Sequence, residues 1–220
     1  MKKYDLHTHT YYSACSSNKP LALLKTAKKK GLDGIAVTDH NTIKGALEVK
    51  KLNKDKGFEV IIGEEIGTDK GEIIALYIKK EIKSRILLEA IEEIKSQGGL
   101  IIVPHPYRPV PWLKFKCPLK KLIGKVDAIE TFNSRNPWFA NNAAKKAIKG
   151  MEFAHIGSSD AHFLFDIGNG YTLFNKDLRT AINKRKTTPK GTTLFGSISI
   201  SLAGINKRIL TPLKVKKQWI

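Results

Sequence analysis

From residue 4 to residue 162, short apolar runs alternate with helical stretches, and this alternation limits the fold more than any other feature of the chain. Seven runs read as strands: 4–9, 34–37, 58–62, 72–78, 100–103, 126–129 and 153–156. The apolar ones are too short to be helices of their own and are rich in valine and isoleucine. Between them, 20–31, 42–55, 83–97 and 137–149 carry helical spacing of apolar residues and stop at or near glycine. Apolar strands separated by helices predict an α/β fold with a largely parallel sheet, shielded by the crossover helices.

The residues that end these runs are of one chemical kind. Asp5-Leu6-His7-Thr8-His9 comes first. On an extended segment residues i and i+2 point to the same side, so the imidazoles of His7 and His9 can converge on one ion. Thr38-Asp39-His40, Gly63-Glu64-Glu65, Pro104-His105-Pro106, Glu130 and Ser159-Asp160-Ala161-His162 stand at later strand ends. Five of the six histidines fall in this set; only His155 lies inside a strand, where it reads as structural. In a closed (β/α) barrel such residues share the mouth at the carboxyl ends of the strands. A mixed nitrogen and carboxylate shell there suits manganese, zinc or iron.

A formal net charge of +19 favours polyanionic partners. After Asp177 there is no acidic residue, while Arg179, Lys184, Arg185, Lys186, Lys190, Lys207, Arg208, Lys214, Lys216 and Lys217 follow. The expected organisation is therefore a catalytic barrel over 1–175 and a basic C-terminal extension over 176–220, packed on or trailing from the same domain and able to contact RNA. No run of about 18 apolar residues suggests a membrane span, and the first residues lack a signal-peptide core, so a cytoplasmic protein without a membrane partner is expected. Cys15 and Cys117 are too few for a disulfide framework.

With its motifs in this order, the chain resembles the polymerase and histidinol phosphatase (PHP) family of metal-dependent phosphoesterases, over about residues 4–162. The resemblance implies a distorted seven-stranded (β/α) barrel with two or three divalent transition-metal ions at its mouth. It implies that His7, His9, Glu65 and Asp160 surround one ion, that Glu65 bridges to a second held also by His105, and that His40 and His162 serve a third. The family motif G-x-E selects Glu65 over Glu64, which should point away from the mouth. Asp39 is expected to orient His40. Two departures stand out: Ala14, Cys15 and Ser16 where many members carry an acidic residue, and Glu72 where many carry a histidine. Glu72 is a competent oxygen ligand or else a solvated strand-edge residue, and Cys15 reads as a free thiol beside the site in preference to a sulfur ligand.

Ions of this kind supply a nucleophile from water at neutral pH and hold phosphoryl oxygens, so hydrolysis of a phosphate ester is the expected reaction. Arg108 and Arg135 resemble arginines that contact substrate phosphate in the nucleotide-acting branch of the family. Asn133 either touches substrate or caps the next helix, and Glu130 is either a ligand or an orienting base. The expected substrate is a small phosphorylated molecule, a nucleotide such as a nucleoside 3′,5′-bisphosphate or a short oligonucleotide, cleaved by a phosphatase or exonuclease. The alternatives are a histidinol-phosphate phosphatase, an amidohydrolase-type metallohydrolase, or a catalytically reduced RNA-binding scaffold.

Overall fold

The computed structural model describes residues 1–110, 114–194, 199, 201 and 202. β1 (Lys2–Thr8), β2 (Gly34–Val37) and β3 (Glu59–Thr68) run parallel and are linked through α1 (Pro20–Lys29) and α2 (Lys44–Leu52). β3 turns at Asp69-Lys70 into antiparallel β4 (Gly71–Leu76). After α3 (Leu87–Ser96), β5 (Leu100–Val103) lies antiparallel to β4. β6 (Ala128–Asn133), α4 (Trp138–Ala147) and β7 (Ala154–Ser158) restore the parallel pattern. The chain then adds β8 (Gly170–Phe174), α5 (Leu178–Asn183) and β9 (Thr188–Gly191).

The strand order is β7-β6-β5-β4-β3-β2-β1-β8-β9, and the two ends of this sheet approach each other. His9 N–H donates to the Ala161 carbonyl at 2.9 Å, and the Thr187 and Thr172 hydroxyls each donate at 2.7 Å to the His155 and Gly157 carbonyls. The result is a nearly closed barrel.

Apolar alternation decides which face goes where. Leu6, Ala36, Ile61, Ile74, Ile102, Ala128 and Ile156 form the inside, closed off by Leu178, Ala181 and Ile182 of α5. Their strand neighbours pack outward: Ile35, Val37 and Val60 under α1 and α2, and Ile73, Ile101 and Ile129 in the cluster that includes Ala90, Ile91 and Ile94 of α3. Helix α1 shows the local logic. Pro20 starts it with a preset φ, Leu23, Leu24 and Ala27 are its buried stripe, and Gly31 at φ +66 lets the chain leave.

The sheet has nine strands where seven were expected. The two additional ones are β8, which pairs with β1, and β9, which pairs with β8. Neither carries a continuous apolar run: β8 alternates buried and half-buried residues, and β9 is the mostly exposed Thr-Pro-Lys-Gly. Such strands are fixed by their partners, and a proline is tolerated at an edge. The boundary expected at 175 falls between β8 and α5, and α5 and β9 continue the same core and sheet. Of the expected basic extension, Lys207, Arg208, Lys214, Lys216 and Lys217 lie outside the described residues. Among the described residues no helix is long and apolar enough to cross a membrane.

Closure of the barrel depends on close backbone approach. A Cβ at Gly170 would lie 2.0 Å from the Ser158 carbonyl oxygen, an atom that cannot yield without moving β7. Gly170→Ala should therefore destabilise the fold by about 3 kcal/mol. Chemical denaturation checks this, and an unchanged midpoint would contradict the closure described.

Candidate metal centre

The mouth gathers the expected side chains into one cluster, buried except for the half-buried His40 and Glu72 at its rim. His7 comes from β1 and His9 follows it; Glu65 and Glu72 come from the β3–β4 hairpin, Glu130 from β6, and His105, Asp160 and His162 from the segments after β5 and β7. β3 runs on to Thr68, so Glu65 sits within the strand and not just beyond its end.

His7 Nε2 and His9 Nε2 lie 3.0 Å apart, each is 3.3 Å from Glu65 Oε2, and Asp160 Oδ1 lies 3.6 and 3.4 Å from them. Donors about 2.1 Å from a shared ion are about 3.0–3.4 Å from one another, so this quartet fits a metal. Glu65 Oε1 is 3.1 Å from His105 Nε2, while its other oxygen is 3.1 Å from His40 Nδ1. Glu72 stands between those two imidazoles, 3.8 Å from each. His9, His40 and His162 form a further group whose ring nitrogens lie within 4.8 Å. The donors expected to serve three ions are thus all brought together.

The polar contacts around the cluster aim the imidazoles. Glu130 Oε1 is 3.2 Å from His7 Nδ1, and Oε2 accepts the His105 N–H and the Asn133 amide, each at 2.8 Å. A proton on His7 Nδ1 held by Glu130 leaves the Nε2 lone pair facing the cluster. His9 Nδ1 lies 3.2 Å from Ser13 Oγ, which donates to Asp39 Oδ1 at 2.6 Å; the Ser13 oxygen therefore accepts from His9 and frees its Nε2 in the same way. His40 N–H also donates to Ser13 Oγ, at 3.1 Å.

This corrects the expectation for Asp39. Its carboxylate accepts from the Thr10 N–H at 2.7 Å, the Thr10 hydroxyl at 2.6 Å and Ser13, and makes no bond to the His40 ring. It orders the loop after His9, because that loop folds back over it. Sequence alone does not point to Ser13; nothing in a polar loop marks one serine as the buried link between an aspartate 26 positions away and a histidine. Ser13→Ala should weaken metal binding by about 10- to 100-fold with little effect on the barrel. A metal titration with parallel melting curves checks this, and unchanged affinity would refute the link.

Arg108 and Arg135 are buried at the mouth and both meet Asp160. Arg108 donates to Asp160 Oδ2, to Asn133 Oδ1 at 3.2 Å and to Asn136 Oδ1 at 3.0 Å. Arg135 Nη1 lies 3.3 Å from Asp160 Oδ1 and donates to His162 Nδ1 at 2.6 Å. The Asn133 side chain bonds Glu130, Asp160 and Arg108 at once, and its backbone N–H and carbonyl pair with the side-chain amide of Asn141 in α4, each at 3.0 Å. Glu64 points away, accepting the Ile82 N–H at 2.9 Å. Cys15 is beside the cluster, its Sγ 3.1 Å from His162 Nε2. His155 lies apart, 3.3 Å from the Thr131 hydroxyl.

Burial opposes charge on His7, yet the Glu65, Asp160 and Glu130 carboxylates outweigh it and raise its pKa well above the usual imidazole value. Burial likewise opposes ionisation of Asp160 and Glu65, but Arg108 and His7 hold Asp160, and His7 and His40 hold Glu65, well below the usual carboxylate range. Glu72 is pushed up to about 8 by burial and by Glu65. Burial lowers His105 and His40, and burial with Arg135 lowers His162. His40 is a third open to solvent at the rim, which softens its shift. Neutral imidazoles are the form that ligates metal, and a cluster of ionised carboxylates that draws positive charge onto His7 attracts a divalent cation by the same field.

The PHP domain model matches residues 5–186. An uncharacterized protein of Methanocaldococcus jannaschii is 44% identical over 166 residues, covering 67% of this chain and 92% of that protein. A 5′-3′ exoribonuclease of Haemophilus influenzae is 40% identical over 68 residues, 31% of this chain and 24% of the enzyme. Among solved structures, a two-domain protein of Bacteroides vulgatus containing a predicted PHP-like metal-dependent phosphoesterase superposes with a TM-score of 0.74 at 20% identity, covering 87% of this chain and 65% of that one. This chain spans less than two thirds of that two-domain protein. The motif order, the barrel and the domain match lead to one conclusion: the chain belongs to the PHP domain family.

Proposed function

We propose that the chain is a metal-dependent phosphoesterase that hydrolyses a phosphate ester of a nucleotide or short oligonucleotide. His7, His9, Glu65 and Asp160 would hold one ion, Glu65 and His105 a second, and His40 with His162 a third, with Glu72 within reach of His40 and His105. Bound divalent ions supply Lewis acidity toward phosphoryl oxygens and a nucleophile from water at neutral pH. The chain's own residues do the positioning. Glu130 and Ser13 keep the imidazole lone pairs of His7 and His9 aimed at the cluster. Arg108 and Arg135 set two fixed guanidinium groups beside Asp160, where they match phosphate oxygens and offset charge that builds up during displacement.

One observation carries the nucleotide reading. Tyr12, Tyr107, Trp138, Phe139 and Phe165 are the exposed aromatic residues among those described, and all five lie on segments that follow the mouth-facing ends of β1, β5, β6 and β7. Exposed aromatics collected around a phosphate-handling site suit a ligand that carries flat bases. The named activity of the H. influenzae relative agrees with this reading over its 68 matched residues.

The test is phosphate release in manganese from a nucleoside 3′,5′-bisphosphate, a short 5′-phosphorylated RNA and histidinol phosphate at equal concentration. Preference for either nucleotide is expected, and Trp138→Ala should raise KM for it by about tenfold, the worth of one stacked base. Preference for histidinol phosphate would overturn the nucleotide assignment.

A further inference from the structure

At the end of the barrel opposite the mouth, where β1 and β3 begin, the surface opens into a groove of about 1020 Å³. Six cations line it, Lys2, Lys50, Lys54, Lys56, Lys79 and Arg179, against two carboxylates, Asp55 and Glu59. Both carboxylates are engaged: Asp55 pairs with Lys28 Nζ at 3.0 Å, and Glu59 Oε2 accepts the Tyr4 hydroxyl at 2.7 Å. All five lysines are exposed.

The groove exists because β4 pairs with β3 only from Gly63 to Thr68. Residues 59–62 of β3 have β2 on one side and, among the described residues, no strand on the other. The chain leaves β4 at Tyr77, which stands at φ +62, a left-handed conformation that non-glycine residues rarely adopt. That turn places the half-buried Tyr77 ring against the Arg179 guanidinium, 4.3 Å from its centroid.

We propose that this groove is a second binding site, taking a single-stranded nucleic acid by its phosphates and by one stacked base. The lysines are spread along a groove larger than a single phosphate needs, which suits a repeating anion. The flat pair of Arg179 and Tyr77 offers a stacking platform of the kind that distinguishes nucleic acid from an acidic peptide. The site stands apart from the mouth and does not depend on the reaction proposed there.

Fluorescence anisotropy with a labelled oligouridine of about 20 nucleotides, in chelator to prevent cleavage, tests it on the full chain. Lys54→Glu combined with Lys56→Glu should raise Kd at least about tenfold and flatten the log–log salt dependence by about 1.4, the loss of two phosphate contacts to a single strand. Arg179→Lys, which keeps the charge but weakens the stack, should lower affinity for oligouridine while leaving that for heparin, a base-free polyanion, unchanged. The melting temperature should be the same in all variants, which shows that they fold. Unchanged affinity and salt slope in the groove variants, or loss confined to Lys214→Glu with Lys216→Glu, would overturn the assignment. An equal loss for heparin in Arg179→Lys would overturn the stacked base and with it the nucleic-acid ligand.

Discussion

His9→Ala is expected to lower kcat for phosphate release by about 10³-fold or more, about 4 kcal/mol of transition-state stabilisation, while the melting temperature moves by only a few degrees. The His9 Nε2 faces three donors, from His7, Glu65 and Asp160, at 3.0, 3.3 and 3.4 Å. Its removal breaks the quartet that fits one ion. The apolar clusters that carry the fold do not include it, so catalysis and stability should separate. Metal content by mass spectrometry should fall by about one ion per chain. Full turnover with unchanged metal content would mean that His9 holds nothing.

Asp160→Asn should fail differently, losing both activity and stability. Asp160 pairs with the buried guanidinium groups of Arg108 and Arg135 and also faces His7 and His9. It stands at φ +56, which asparagine tolerates, so the backbone need not move. Without the carboxylate, two buried cations lose their shared counter-charge, a loss of about 3 kcal/mol in folding stability. Turnover should fall by about 10³-fold, because one metal donor and the anchor of both arginines go together. Urea denaturation and single-turnover kinetics read the two effects, and a variant as stable as the parent would show that Asp160 does not balance the arginines.

The parts of the molecule legible from sequence were those whose signal is local. Strands such as β2 and β5 are buried on both faces, so they appear as unbroken apolar runs. His7 and His9 are marked by their spacing together with the histidines and carboxylates at the other strand ends, and Asp160 and His162 by motif. What stayed hidden depends on contacts between distant positions. β9 has no apolar pattern of its own and is defined by its bonds to β8. The partners of Asp39 are set by how the loop after His9 closes on it, so its role passed from His40 to Thr10 and Ser13. Arg108 and Arg135 read as cations near a mouth, but their meeting at Asp160 joins positions 52 and 25 residues apart. The sequence leaves Glu130 between ligand and orienting base; its oxygens bond His7, the His105 N–H and Asn133, and it also stands with His7 and His105 in a group close enough to hold an ion.

The most direct test of the proposed chemistry is phosphate release from p-nitrophenyl phosphate by the chelator-stripped chain as manganese, zinc or ferrous ion is added back, with bound metal counted in the same samples. Hydrolysis should be absent in the stripped chain, rise in step with metal bound, and vanish in Glu65→Gln, which removes the charge that four imidazoles share. Stoichiometric metal binding with no hydrolysis of this ester, or of the nucleotide esters, would contradict a phosphoesterase and leave the cluster a metal site without that reaction.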